Sequence, residues 1–338
     1  MKSLAVDPAF FKPLDGTAVR LGFGTADLPV RSPRKAASLL ACAFEHGVRH
    51  FDAARLYGYG EGEKIVGDFL KGRRDQVSIT TKFGLYPEPW NARTALRAAA
   101  HAVLRKTPAL LRAAQRAKAK LRGTPAPATT QAKRFNVAMA QANLETSLKL
   151  LQTDYVDVWM LHEASAAEAD DAELIDFLGR MQAQAKVRAF GVGTAAHDLL
   201  PDLDRYPSPY RVLQTDSDVL HRAIDQVARR AATFAITHGS LRAFGACRAL
   251  VDQAPASAHM RFRNSTGVDI ADDAELARLL LRWSIARNPR GGVLFAARSI
   301  ERVRVNALAA TDVRLSAQIL ERFANFLRDI PLGMKAPL

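Results

Sequence analysis

The chain has 338 residues, 48% apolar and 24% charged, and a net charge of +14. That length suits one large α/β domain or two smaller ones. No apolar run approaches the ~20 residues that span a bilayer. The N-terminal stretch lacks a signal peptide's apolar core, and Cys42 and Cys247 are too few for a disulfide framework, so a reduced, cytoplasmic protein is expected.

Apolar, strand-like runs recur along the chain with helical patterns between them. VRLGFGT (19–25) precedes KAASLLACAFEHG, whose apolar residues fall at helical spacing and which ends on glycine. VRHFDA (48–53) precedes the short amphipathic stretch EGEKIVGDFLKG, and VSITTKFG (77–84) reads as the third strand. YVDVWMLHE (155–163) follows the helical FNVAMAQANLETSLKLLQ. VRAFGVGT (187–194), YRVLQTDSD (210–218), ATFAITHG (232–239) and GGVLFAARS (291–299) complete eight strand candidates.

Repeated strand-then-helix units imply parallel strands joined by right-handed crossovers. Eight of them suit a (β/α)8 TIM barrel, whose usual ~250 residues leave room for insertions. A doubly wound open sheet would announce a dinucleotide site with GxGxxG after its first strand. LGFGTA has the first two glycines, lacks the third, and opens no helix directly. A single barrel over 1–338 is therefore expected.

One segment does not belong to the repeat. Residues 86–134 separate the third strand from the helix before the fourth, far more than the few residues usual there. Residues 91–134 hold eleven Lys or Arg and no Asp or Glu, so most of the net charge sits in that one stretch. ALRAAAHAVLRK and ALLRAAQRAKAKLRG predict two helices broken at Thr107-Pro108, followed by the tether GTPAPATTQ. This is a basic helical insertion, either a solvated surface feature, a lid, or a contact for a membrane surface or partner. No aromatic residues interleave its charges for base stacking, which argues against nucleic acid.

Active sites of such barrels form at the C-terminal ends of the strands. Asp52 and Tyr57 lie at and just beyond the end of the second strand, Lys82 near the end of the third, and His162 at the end of the fourth. A free phenol titrates near ~10 and is a weak acid at neutral pH. A nearby ammonium stabilises the phenolate, so Lys82 is expected to lower the pKa of Tyr57. Asp52 would hold the lysine charged, and His162 would orient a substrate oxygen toward the phenol.

At this point GVRHFDAARLYGYGEGEKIVG, ITTKFG and LETSLKLLQTDYVDVWMLHE together resemble the aldo-keto reductases. The resemblance implies a (β/α)8 barrel that transfers hydride between NADPH and an aldehyde or ketone, or the reverse on an alcohol or sugar. It implies neither a metal nor a flavin. The family's catalytic Asp, Tyr, Lys and His fall on Asp52, Tyr57, Lys82 and His162. For the nicotinamide carboxamide, its Ser-Asn pair matches Gly193 and Thr194, and its glutamine matches Gln214. Where many members stack an aromatic ring on the nicotinamide, this chain has Thr237 and His238. FAARSIERVRVNAL (295–308) matches the stretch that grips the adenosine end, placing Arg298, Ser299, Arg302 and Asn306 there. A helix start with a hydroxyl and two guanidiniums suits a 2′-phosphate, hence NADP ahead of NAD. Trp90 is expected as a wall of the substrate pocket, with core or lid packing as the alternative. The other reading of the whole chain is a cofactor-sensing regulatory subunit on the same barrel, with 91–134 as its partner contact.

Overall fold

Eight parallel strands close on themselves in chain order in the computed structural model, which describes residues 8–85 and 135–330. They are β1 (Leu21–Gly24), β2 (His50–Asp52), β3 (Ser78–Phe83), β4 (Val156–His162), β5 (Val187–Gly193), β6 (Tyr210–Asp216), β7 (Phe234–His238) and β8 (Gly292–Phe295). β1 pairs with β8 as well as β2, so no edge remains. All eight sequence-predicted strands form, each shorter than its apolar run by one or more residues. The expected helices of the basic insertion and Trp90 lie outside the described residues.

The strands read as near-continuous apolar runs because both of their faces are covered. Outside, they pack on helices whose starts carry side-chain caps. Ser32 caps Pro33–Glu45, Asn136 caps Val137–Leu151, Asp171 caps Ala172–Ala183 and Ser299 caps Ile300–Ala310. Helices Glu61–Leu70 and Val137–Leu151 meet closely at Gly67, where an added Cβ would lie 2.2 Å from the Leu150 carbonyl oxygen. Beyond β7, helices Phe244–Gln253, Ala256–Thr266, Asp273–Arg287 and Ala317–Asp329 bury a second apolar cluster around Cys247, Phe262, Trp283 and Phe323.

Inside the barrel, Val158, Met160, Ala189, Val212, Ile236 and Leu294 pack with Phe10, Phe11 and Phe234. Phe11 stacks on His50 at the N-terminal end, ring centroids 3.7 Å apart. Gly22 and Gly292 make that insertion possible, since a Cβ on either would run into the Phe11 ring. His50 bonds Ser78 Oγ at 2.8 Å and Thr80 Oγ1 at 3.1 Å. One end of the barrel is thus plugged by rings, and the polar residues of the opposite end are free to form a site.

Candidate active site

Parallel pairing sets the ends of β2, β3, β4 and β6 around one mouth: Asp52 lies beside Thr80, Lys82 beside Met160, and His162 and Gln214 both beside Gly193. Lys82 Nζ donates to Asp52 Oδ1 at 2.6 Å and to the Ala53 carbonyl at 3.0 Å. Both side chains are 3% exposed. A charge pair this dry persists only if each partner is held by the other and by further hydrogen bonds. Burial alone would lower the Lys82 pKa, but the Asp52 carboxylate and the Tyr57 phenol outweigh it and hold the ammonium above its ordinary value.

Tyr57 arrives from the turn after β2. Its N–H bonds the Ala54 carbonyl, and the Arg55 N–H bonds the Lys82 carbonyl, so the turn is fastened to β3. Arg55 Nη1 also reaches Glu63 Oε2 at 3.1 Å, while Glu63 Oε1 accepts from Thr81 Oγ1 at 2.7 Å. Glu63 is fully buried, so one carboxylate locks the tyrosine turn, the following helix and β3 together. The Lys82 ammonium then lies 5.4 Å from the centre of the Tyr57 ring. The His162 ring meets Tyr57 edge to face, centroids 6.2 Å apart.

The four expected residues are therefore brought together, with one correction to their electrostatics. The Tyr57 pKa is raised rather than lowered: burial pushes it up, and Asp52 adds to the rise. Lys82 opposes both without winning, because the burial of the phenol is the largest influence. The phenol consequently stays protonated at neutral pH. Burial, helped by Lys82 and His238, pushes the His162 imidazole down to about 3, so it is neutral.

Two further residues belong to this mouth. Gln214 Nε2 donates to Asp52 Oδ2 at 3.0 Å, a link its sequence motif did not announce. Gln214 Oε1 is buried and has no hydrogen-bond partner among the described residues. His238, matched in sequence only to a missing aromatic ring, responds to Asp52 and Lys82, with burial the dominant influence lowering its pKa.

The remaining expected residues line the rim. Thr194 is buried and its N–H bonds the Gln214 carbonyl. Ser299 caps its helix by accepting from the Arg302 N–H, and Arg302 is exposed on the first turn. Arg298 Nε donates to Asp27 Oδ2 at 2.9 Å, joining the loops after β1 and β8. Asn306 sits farther along the helix, largely buried. A dinucleotide fits this set. The orphaned amide oxygen of Gln214 can accept from a carboxamide, and the Arg298–Arg302 helix start suits a phosphate. Among the described residues no cluster of His, Cys, Asp or Glu could hold a metal ion, and no helix is long and apolar enough to cross a membrane.

A sequence model described as the Aldo/keto reductase family matches residues 20–227. "Aldo-keto reductase YhdN" of Bacillus subtilis is 26% identical over 189 residues, 55% of this chain and 45% of its own length. The match thus spans about half of that curated relative. Among solved structures, aldo-keto reductase AKR11C1 from Bacillus halodurans in its holo form is 19% identical, covering 93% of this chain and 95% of that one, TM-score 0.63. An aldo-keto reductase from Klebsiella pneumoniae in complex with NADPH is 22% identical, covers 94% of each chain, and has a TM-score of 0.62. At these identities the structural likeness is one of fold.

Proposed function

Since the chain belongs to the aldo/keto reductase family, we propose that it is an NADP-dependent oxidoreductase acting on an aldehyde or ketone, or in reverse on an alcohol or sugar. The observation that carries this reading is the buried Lys82–Asp52 pair beneath a protonated Tyr57, with a neutral His162 across from it. Bound NADPH supplies a hydride to the carbonyl carbon.

Everything else falls to the chain. As negative charge develops on the carbonyl oxygen, Tyr57 Oη gives up its proton to it. The resulting phenolate is stabilised by the Lys82 ammonium, which Asp52 and the Ala53 carbonyl keep charged in a dry setting. His162 offers an N–H to the same oxygen and orients it toward the phenol. Thr194 and Gln214 would receive the carboxamide end, while Arg298, Ser299, Arg302 and Asn306 would receive the adenosine end and its phosphate. Asp27 holds Arg298 through an exposed ion pair, which contributes little and is easily exchanged for a phosphate.

Purified protein should oxidise NADPH with at least one member of a panel of aldehydes, ketones and sugars. Tyr57→Phe should lower turnover by about 10²–10⁴-fold while leaving NADPH binding intact. Binding without turnover on any carbonyl would favour a cofactor-sensing barrel. No binding would sink the oxidoreductase reading.

A further inference from the structure

In a closed eight-stranded barrel β2 and β6 stand on opposite walls, yet one side chain spans them. Gln214 on β6 reaches across to Asp52 on β2, donating from Nε2 to Oδ2 at 3.0 Å. Asp52 Oδ1 receives the Lys82 ammonium at 2.6 Å, so the two carboxylate oxygens are each held by one donor. Gln214 is 4% exposed, and its other end, Oε1, has no partner among the described residues. Gly193 stands directly beside that oxygen: a Cβ there would lie 3.2 Å from Oε1 and 3.5 Å from Lys82 Cε. Glycine therefore puts no side chain against the orphaned acceptor and the lysine stem.

We infer that Gln214 is a positioning residue for the proton donor: by holding Asp52 Oδ2 it fixes the carboxylate on Lys82, and through Oε1 it ties that grip to an amide donor placed beside Gly193. This rests on the proposed oxidoreductase reading for the identity of the amide donor, which would be the nicotinamide carboxamide. The amide plane makes the two roles inseparable. An N–H2 committed to a carboxylate leaves its own oxygen pointing the other way, so the acceptor's direction is set by Asp52. Conversely, a ligand donor at Oε1 polarises the amide and strengthens its hydrogen bond to Asp52. Occupancy beside Gly193 would thus tighten the carboxylate's orientation on the lysine that serves Tyr57.

The consequence is read at the phenol. Around Tyr57 stand Lys82 on β3, Asp52 on β2, and His162 and Glu163 at the end of β4, while His238 on β7 faces Asp52 and Lys82. Without the amide donor, Asp52 Oδ2 is unpaired and the carboxylate draws more fully on the Lys82 charge. The phenolate is then less stabilised, and Tyr57 holds its proton to higher pH.

The test compares Gln214→Met, which keeps bulk and loses both amide functions, with Gln214→Glu, which adds a like charge beside Asp52. For each, kcat for carbonyl reduction is followed against pH, and NADPH affinity is measured separately by quenching of protein fluorescence. Both variants should lower kcat and move the alkaline limb upward, by about one pH unit for Met and more for Glu. NADPH affinity should fall in both. Where turnover is too weak to profile, the Tyr57 Cζ resonance of 13C-tyrosine-labelled protein, identified from Tyr57→Phe, reports the same displacement without substrate. It does so even if no carbonyl is reduced. A limb and resonance that stay in place while only NADPH affinity falls would overturn the positioning role.

Discussion

Lys82 Nζ lies 2.6 Å from Asp52 Oδ1, and neither side chain is more than 3% exposed. Removing one member of such a pair strands the other in a dry site at a cost of about 3–5 kcal/mol. Lys82→Met should therefore lose both activity and stability. Tyr57→Phe removes only the hydroxyl proposed as proton donor, so it should lower kcat by about 10²–10⁴-fold and leave the urea midpoint nearly unchanged. Parallel measurements of turnover and denaturation separate the two cases. Equal destabilisation by both variants would mean that the phenol is structural and not the acid.

Glu63 offers a second test, because it reacts with nothing and yet fixes the geometry. It holds Arg55 at 3.1 Å and Thr81 at 2.7 Å from a fully buried position. Glu63→Ala should cost about 3 kcal/mol by leaving Arg55 without its buried partner. In the protein that remains folded, kcat should drop at least tenfold, since a loosened turn misplaces Tyr57. NADPH affinity should change little, as the side-chain bonds of Glu63 go to Arg55 and Thr81 and not to the rim residues. Unaltered kcat at reduced stability would show that Tyr57 is positioned without this lock.

Acid should weaken the fold through its histidines. His50, His162 and His238 are all held below their ordinary pKa, in each case chiefly by burial. The unfolded chain thus binds protons near pH 6.5 that the folded chain refuses. Stability is full above that value and falls as pH drops below it, for His162 down to about 3. Each group contributes up to ~1.4 kcal/mol per pH unit in that window. Between pH 7.5 and 5, above the carboxylate range, the urea midpoint should fall clearly, and His50→Gln should flatten the slope even though it costs stability at every pH. A midpoint independent of pH over that interval is the contrary result.

Much of this arrangement was legible in the sequence, and the residues that were not share a reason. Asp52, Tyr57, Lys82 and His162 each sit at or just past a strand end, and the strands follow one another in chain order, so periodicity alone brought them to one mouth. The Gln214–Asp52 bond joins positions 162 residues apart across the barrel. No local pattern encodes which side chains meet over a lumen. The direction of the Tyr57 shift is not legible because the sequence shows the lysine but not the depth of burial that outweighs it. That burial becomes visible only when the barrel is closed around the phenol. The Arg298–Asp27 bond is hidden for the same reason as the Gln214–Asp52 bond, since Asp27 follows the first strand and Arg298 the last.

Arg298 is 73% exposed and bonded to Asp27, while Arg302 lies on the first turn of a helix capped by Ser299. If these guanidiniums receive the 2′-phosphate, each forms charge-assisted hydrogen bonds that the dephosphorylated cofactor cannot offer. Arg298→Ala and Arg302→Ala should each weaken NADPH binding by about tenfold while leaving NADH binding nearly unchanged. Asp27→Asn should act oppositely and modestly, because Arg298 no longer has a carboxylate to give up before it meets a phosphate. Fluorescence titration of all three variants with both cofactors decides the matter. Equal losses for NADPH and NADH in the arginine variants would place the phosphate elsewhere, and an unchanged Asp27→Asn would mean that the Asp27–Arg298 bond survives cofactor binding.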